Sequence, residues 1–358
     1  MNHIELFHCR DILGASKGLK EPPCPHTDSR TTHPNPMKHT FIALLTLPLI
    51  AHAQTVTLKP SDTGMRVEID GQVFTEYITK EVARPYMYPL IGAAGVNVSR
   101  EFPMKKDVPG EAMFVDHPHH RSLWFGHSRI NEINFWAEYQ VFGKQAHSGF
   151  TNVQATGNQG RFTASTQWIG PDNKAVMTDE RRITITALPE GEKTLDFDIT
   201  LKATEGDVLI GDTKEGTMAL RLCPSLSLNS SKSGVKTGPS TGHAFNSNGI
   251  RDLDIWGKHA NWVCYYGPDP KGNAVGVVIF SHPSNFRSPT TWHARDYGLF
   301  AVNPFGLHDF EPDKPAGAGN YTIKKGDSLT LRYRFYFAKG QPKPEVLEAR
   351  FQGYAKEK

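Results

Sequence analysis

The run from Asp116 to His127, Asp-His-Pro-His-His-Arg-Ser-Leu-Trp-Phe-Gly-His, sets four histidines and an arginine against an apolar segment that continues to Trp136. Imidazole is the side chain able to serve as acid, base or metal ligand near neutral pH. If the run is one extended strand, alternation places His117, His119, Arg121 and His127 on one face with Leu123 and Phe125. Pro118 offers a second geometry, because it lacks a backbone donor and restricts its neighbour. His117 to His119 then form a loop that enters a strand at Arg121. Three readings stand beside one another here, a functional site, a hydrogen-bonded knot that ties a loop to a sheet, and an exposed, uninvolved loop. As a structural zinc motif, His-Pro-His-His fits no ligand spacing.

Three further groupings carry usable chemistry. In an alternating strand starting at Asp212, Glu215 stands beside Thr213 and Thr217 and faces away from Lys214, as suits an acid or base; a solvated strand end is the plain alternative. His282 and Asn285 follow a continuous apolar run, so His282 falls at a strand end. Trp292-His293-Ala294-Arg295-Asp296 sets a carboxylate three residues after an imidazole, where contact would fix the ring's tautomer and raise its basicity. Arg100-Glu101 reads as a surface ion pair of little worth.

The segments that must position these residues are strands. Met65 to Ile69 ends at Asp70-Gly71, a hairpin signal, and Gln72 to Thr79 resumes the alternation. Leu195 to Leu201 and Leu329 to Phe337 alternate apolar and polar residues, and Arg182 to Ala187 gives a shorter version. Val275 to Phe280 is apolar throughout, as suits a strand buried on both faces. Small and polar residues mark loops at 170–173, 229–248 and 312–320. Pro344 opens one short C-terminal helix. Together these predict an all-β protein, a large antiparallel β-sandwich formed as a single domain over 54–358.

Composition narrows the function classes. The chain has 358 residues and a formal charge of +3, with no basic run and no aromatic residues interleaved with Lys and Arg, so nucleic acid is not an expected partner. Met37-Lys38-His39, the apolar stretch from Phe41 to Ile50 and Ala51-His52-Ala53 follow the plan of a secretory signal peptide cut before Gln54. Residues 1–36 then read as an upstream extension ahead of the true start. After Gln54 no apolar run reaches membrane-spanning length, which predicts a periplasmic or secreted protein without a transmembrane segment. Cleavage leaves Cys223 and Cys264, whose bridging is open, and all six tryptophans.

Arg84 to Leu90, Arg100 to Pro103, the 116–127 run, 212–222, and His282-Pro-Ser-Asn with 292–300 resemble the exported bacterial family labelled "methane oxygenase PmoA". Members of that family commonly carry Gly-Asp-Val-Asn-Gly after the last histidine of the run, where this chain has Ser128-Arg129-Ile130-Asn131-Glu132. A methane-oxidising membrane subunit needs several spanning helices, and the mature chain has none. The resemblance instead implies an architecture similar to aldose epimerases, the galactose-mutarotase-like β-supersandwich, in which a histidine and a carboxylate exchange protons with a sugar.

The expectation is an exported carbohydrate-active protein working by acid–base chemistry of epimerase, lyase or hydrolase type. His119, His120, His127, Glu215, His293 and Asp296 are the candidate catalytic residues, and Arg121, Trp124, Trp136, His282, Asn285 and Trp292 the candidate ligand contacts. The partner expected is a carbohydrate or sugar-derived small molecule, and no cofactor is required. Two alternatives remain open. One is a divalent-metal oxidase or hydrolase drawing ligands from His117, His119, His120 and His127; the other is a non-catalytic carbohydrate-binding or structural module.

Overall fold

The computed structural model describes residues 54–108, 115–139, 141–228 and 240–357, so the leader assigned to 1–53 lies outside the described residues. Two large antiparallel sheets face each other. The front sheet has nine strands in the spatial order Val56–Pro60, Gly64–Ile69, Gln72–Ile78, Tyr86–Met87, Leu123–His127, Gly216–Arg221, Leu299–Val302, Thr290–Ala294 and His259–Ala260. The back sheet has eight, His243–Asn246, Trp262–Pro268, Ala274–Ser281, Ser328–Lys339, Lys193–Lys202, Ala175–Ala187, Gln159–Ile169 and Lys144–Thr156. Val208–Ile210 and Tyr321–Ile323 pair as a small third sheet.

Alternation decides which face of each strand goes inward. Leu195, Phe197, Ile199 and Leu201 enter the core between the sheets, while the intervening residues of Lys193–Lys202 face outward. Aromatic rings bridge the two layers, among them Phe74 against Phe337 at 5.5 Å and Phe125 against Trp168 at 6.3 Å. Asp70 and Gly71 close the predicted hairpin with φ of 51° and 75°, the left-handed pair that a two-residue turn between twisted strands requires.

Val275 to Phe280 is buried on both faces, as its composition predicts. Val277 and Ile279 meet the front sheet, while Val278 and Phe280 lie under the C-terminal helix Pro344–Tyr354 through Leu347 and Phe351. Each of these side chains stabilises the helix by about 1.5–3 kcal/mol through burial. The segment 229–248 is not a continuous loop, because His243–Asn246 pairs with Trp262–Pro268; residues 229–239 lie outside the described residues. Cys223 and Cys264 are both buried and form no bridge to each other. Among the described residues, no helix is long and apolar enough to cross a membrane.

Candidate functional site

The strand Leu123–His127 sits mid-sheet between Tyr86–Met87 and Gly216–Arg221. Register carries one row of residues straight across the front sheet: Tyr86 opposes Trp124, Trp124 opposes Ala219, Ala219 opposes Ala301, and Ala301 opposes His293. Residues opposed in a ladder share a face. This face is the outer one, since Tyr86, Trp124, Trp136, Ala219, Tyr297 and Ala301 pack together apart from the core between the sheets. The row thus has aromatic rings at one end, an imidazole at the other, and only methyl groups between.

Ahead of the strand the chain turns. His117 and Ser122 have φ of 45° and 51°, and the His120 amide bonds back to the His117 carbonyl. The shared face expected for His117, His119, Arg121 and His127 therefore does not form, and the loop reading is the correct one. His120 folds over Trp124, with ring centroids 5.2 Å apart and planes at 22°. His117 stacks on His120 at 4.8 Å, and Tyr297 stacks on His117 at 5.4 Å. Tyr297 thereby joins the 292–298 segment to the 116–127 run.

A buried charge network holds this turn. Arg100 and Arg221 are fully buried, and both donate to Asp116, at 3.0 Å and 2.8 Å. Arg100 also donates to the carbonyls of Asp116, His117 and His120. The predicted surface pair Arg100-Glu101 is thus corrected: Arg100 faces inward to Asp116, while Glu101 takes a bond from Tyr88 and pairs with Lys105. Burial alone would raise the Asp116 carboxyl, but the His117 bond and the Arg221 and Arg100 charges hold it well below the usual range. Arg121 pairs with Glu138 at 3.1 Å and lies over the Tyr86 ring.

Fixed partners decide the histidine tautomers. Arg221 donates to His120 Nδ1 at 3.1 Å, so the His120 proton sits on Nε2. His293 Nδ1 meets the Lys214 carbonyl at 3.0 Å and must donate, so His293 Nε2 carries the lone pair. Burial pushes His119 and His293 down to about 3 and His120 well below its ordinary value, which keeps all three neutral at pH 7. Among the described residues, His120 Nε2, His293 Nε2, His119 Nδ1 and the indole nitrogens of Trp124 and Trp136 are buried with no hydrogen-bond partner. Buried polar atoms in this condition are rare in folded proteins and concentrate where ligands or ordered waters bind.

Several candidates fall elsewhere. His127 points to the interior, donates from Nε2 to the Gly211 carbonyl at 2.7 Å and packs on Phe305; burial pushes it down to about 4. Trp292 faces the core and donates to the Ala260 carbonyl, so it offers no outer contact. His282 and Asn285 belong to the other layer, where His282 abuts Tyr354 of the C-terminal helix and Asn285 ties its loop to Arg332. As candidate ligand contacts they are thus separated from His120 and His293, because the strand that precedes them, Ala274–Ser281, lies in the back sheet. Asp296 is buried and caps the Tyr297 amide; it does not hold His293, whose Nδ1 is taken by the Lys214 carbonyl. The strand begins at Gly216 and not at Asp212, so Glu215 and Lys214 pair at 3.2 Å instead of facing apart. Asp116, Arg221 and Tyr297, which the sequence reading left out, prove central. The one available signal was that charged residues flank apolar runs there.

No group of three His, Cys, Asp or Glu among the described residues is arranged to hold a metal ion. A groove of about 570 Å³ crosses the outer face of the back sheet beside the C-terminal helix. Its arginines are already engaged, Arg334 with Asp196 and Glu357, Arg182 with Asp198, and Arg350 with Glu192. Asp198 Oδ1, Arg332 Nε, Arg350 Nε and Tyr354 OH in this groove are also without a hydrogen-bond partner among the described residues, but these side chains already sit in ion pairs or over one another, as Arg334 does on Tyr354.

Residues 64–352 match the model of a family described as Family of unknown function (DUF6807). The chain belongs to this family. DUF6807 membership covers the charged turn, the transverse row and the C-terminal helix, and its description carries no methane-oxygenase name. No curated protein matches the chain. Among solved structures, this DUF6807 chain is similar to the alpha-galactosidase from Lactobacillus brevis at 9% identity and a TM-score of 0.28, covering 80% of this chain and 40% of that one. A likeness that low transfers neither fold nor activity.

Proposed function

We propose that this protein is an exported carbohydrate-active enzyme that moves a proton on a sugar or sugar derivative at the outer face of the front sheet. Export follows from the signal-peptide pattern of residues 37–53. The observation that carries the reading is a pair of buried, neutral imidazoles with opposite tautomers, His120 presenting Nε2–H and His293 presenting a lone pair, on one face of one sheet. One can donate while the other accepts, as epimerase, lyase and hydrolase steps each require. Arg121 with Glu138, at the edge of the aromatic cluster and partly open to solvent, gives a sugar polar contacts.

Thermal-shift measurement against glucose, galactose, glucuronate and galacturonate tests the proposal, since a ligand at about 100 times its dissociation constant adds about 2.7 kcal/mol. His293→Asn keeps an N–H near Nδ1 for the Lys214 carbonyl and removes the Nε2 lone pair. It is expected to melt within about 2 °C of the parent, to lose the stabilisation by sugar, and to cut turnover about 10²-fold or more. A parent protein indifferent to the whole panel, or a variant that responds like the parent, refutes the proposal.

A further inference from the structure

Resting on the carbohydrate reading, we infer that His120, Trp124 and Trp136 form a recognition site for a group that only accepts hydrogen bonds, the carboxylate of a sugar acid. The three rings touch one another, with centroids 5.2 Å apart for His120 and Trp124, 5.7 Å for His120 and Trp136, and 5.0 Å for Trp124 and Trp136. Each ring is about 1% exposed, and each carries a buried nitrogen without a hydrogen-bond partner.

All three nitrogens are donors. An indole nitrogen has no lone pair to offer. The His120 proton is held on Nε2 because Arg221 fills Nδ1. The patch therefore presents three N–H groups and no acceptor of its own. A sugar hydroxyl placed there would accept at most two bonds and leave its own proton without a partner in a buried setting, which is costly. A carboxylate has four lone-pair positions and no proton, so it satisfies several donors at once.

Charge favours the same ligand. The Arg221 guanidinium stands directly behind the His120 ring, and Arg100 lies in the same network. The nearest carboxylate, Asp116, is already matched by both arginines and by His117. Glu138, at the edge, is taken by Arg121 and Arg84. An incoming anion meets donors backed by cations, in surroundings where hydrogen bonds to charged groups are strong.

Isothermal titration of the full chain with glucuronate against glucose, and galacturonate against galactose, measures the acid preference without any substitution. The expected result is binding of the acids about ten-fold or more tighter than of their neutral parents. Trp136→Phe and Trp124→Phe each remove one N–H while keeping the ring. Each is expected to weaken the acids about ten-fold while changing the neutral sugars less than about two-fold. If one variant fails to fold by far-ultraviolet circular dichroism, the other variant and the parent's acid preference still decide. Neutral sugars bound as tightly as the acids overturn this inference and leave the carbohydrate proposal standing. No response to any of the four saccharides overturns both.

Discussion

Replacing Asp116 by Asn tests whether the turn that carries His117 to His120 is held by charge. Asp116 faces two guanidinium groups whose side chains are fully buried, at 3.0 Å from Arg100 and 2.8 Å from Arg221. Breaking a buried pair from one side costs about 3–5 kcal/mol, because the remaining charge stays buried. Two factors move the value to the lower end. Asp116 is 24% exposed, so solvent already screens part of the interaction, and Arg100 keeps three carbonyl acceptors. The expected loss is about 3 kcal/mol, a fall in melting temperature of about 5 °C for a domain of this size. The pH dependence provides an independent check. The folded pKa of Asp116 is depressed, so its stabilisation is fully present above the unfolded aspartate value of about 3.9 and disappears as the pH drops below it. Asp116→Asn should lose stability at pH 7 and be less sensitive than the parent between pH 4 and pH 2. Urea denaturation across that range measures both effects. A melting temperature within about 1 °C of the parent at pH 7, or an unchanged acid slope, refutes the claim that this carboxylate organises the turn.

Two other outcomes follow from the same surroundings. His119, His127 and His293 are held by burial at about 3, 4 and 3, and His120 well below its ordinary value, so the unfolded chain takes up protons first as the pH falls. Their contribution is complete above about pH 6.5 and is lost as the pH falls toward 4, up to about 3 kcal/mol per imidazole. Urea midpoints at pH 7, 6 and 5 should decline steadily, less so for His127→Gln, and a flat profile would count against buried neutral histidines. A Cβ at Gly216 would overlap the His127 ring, so Gly216→Ala should cost about 1–3 kcal/mol; an unchanged melting temperature would mean the ring has room to move.

Strands were legible in the sequence wherever one face is wet and the other dry. Leu195 to Leu201 alternates because its two faces meet different surroundings, and Val275 to Phe280 does not because a helix covers its second face. His293, His120, Trp124 and Trp136 were recognised as reactive groups by type, and all reach the outer face of the front sheet. His127 shares the inward face with Leu123 and Phe125 as alternation predicts, but its separation from His117, His119 and Arg121 was hidden by the turn at His117 and Ser122, since left-handed backbone at non-glycine residues leaves no pattern in hydrophobic spacing. Arg100 read as a surface charge, and its partner Asp116 and the neighbouring Arg221 went unassigned, because burial of an ion pair depends on distant partners. The chain separates Asp116 from Arg221 by 105 positions. His282 and His293 lie eleven positions apart, yet the chain crosses from one sheet to the other between them, which their spacing alone does not reveal.

The transverse row draws single residues from positions 86, 124, 219, 301 and 293. Pairings so far apart along the chain carry a large loop-closure cost, and such topologies form late and slowly. A chain with only its back sheet in place would hold none of the donor and acceptor geometry. Any saccharide recognised there would therefore act on the last stage of assembly, slowing unfolding of the finished molecule without speeding its early collapse.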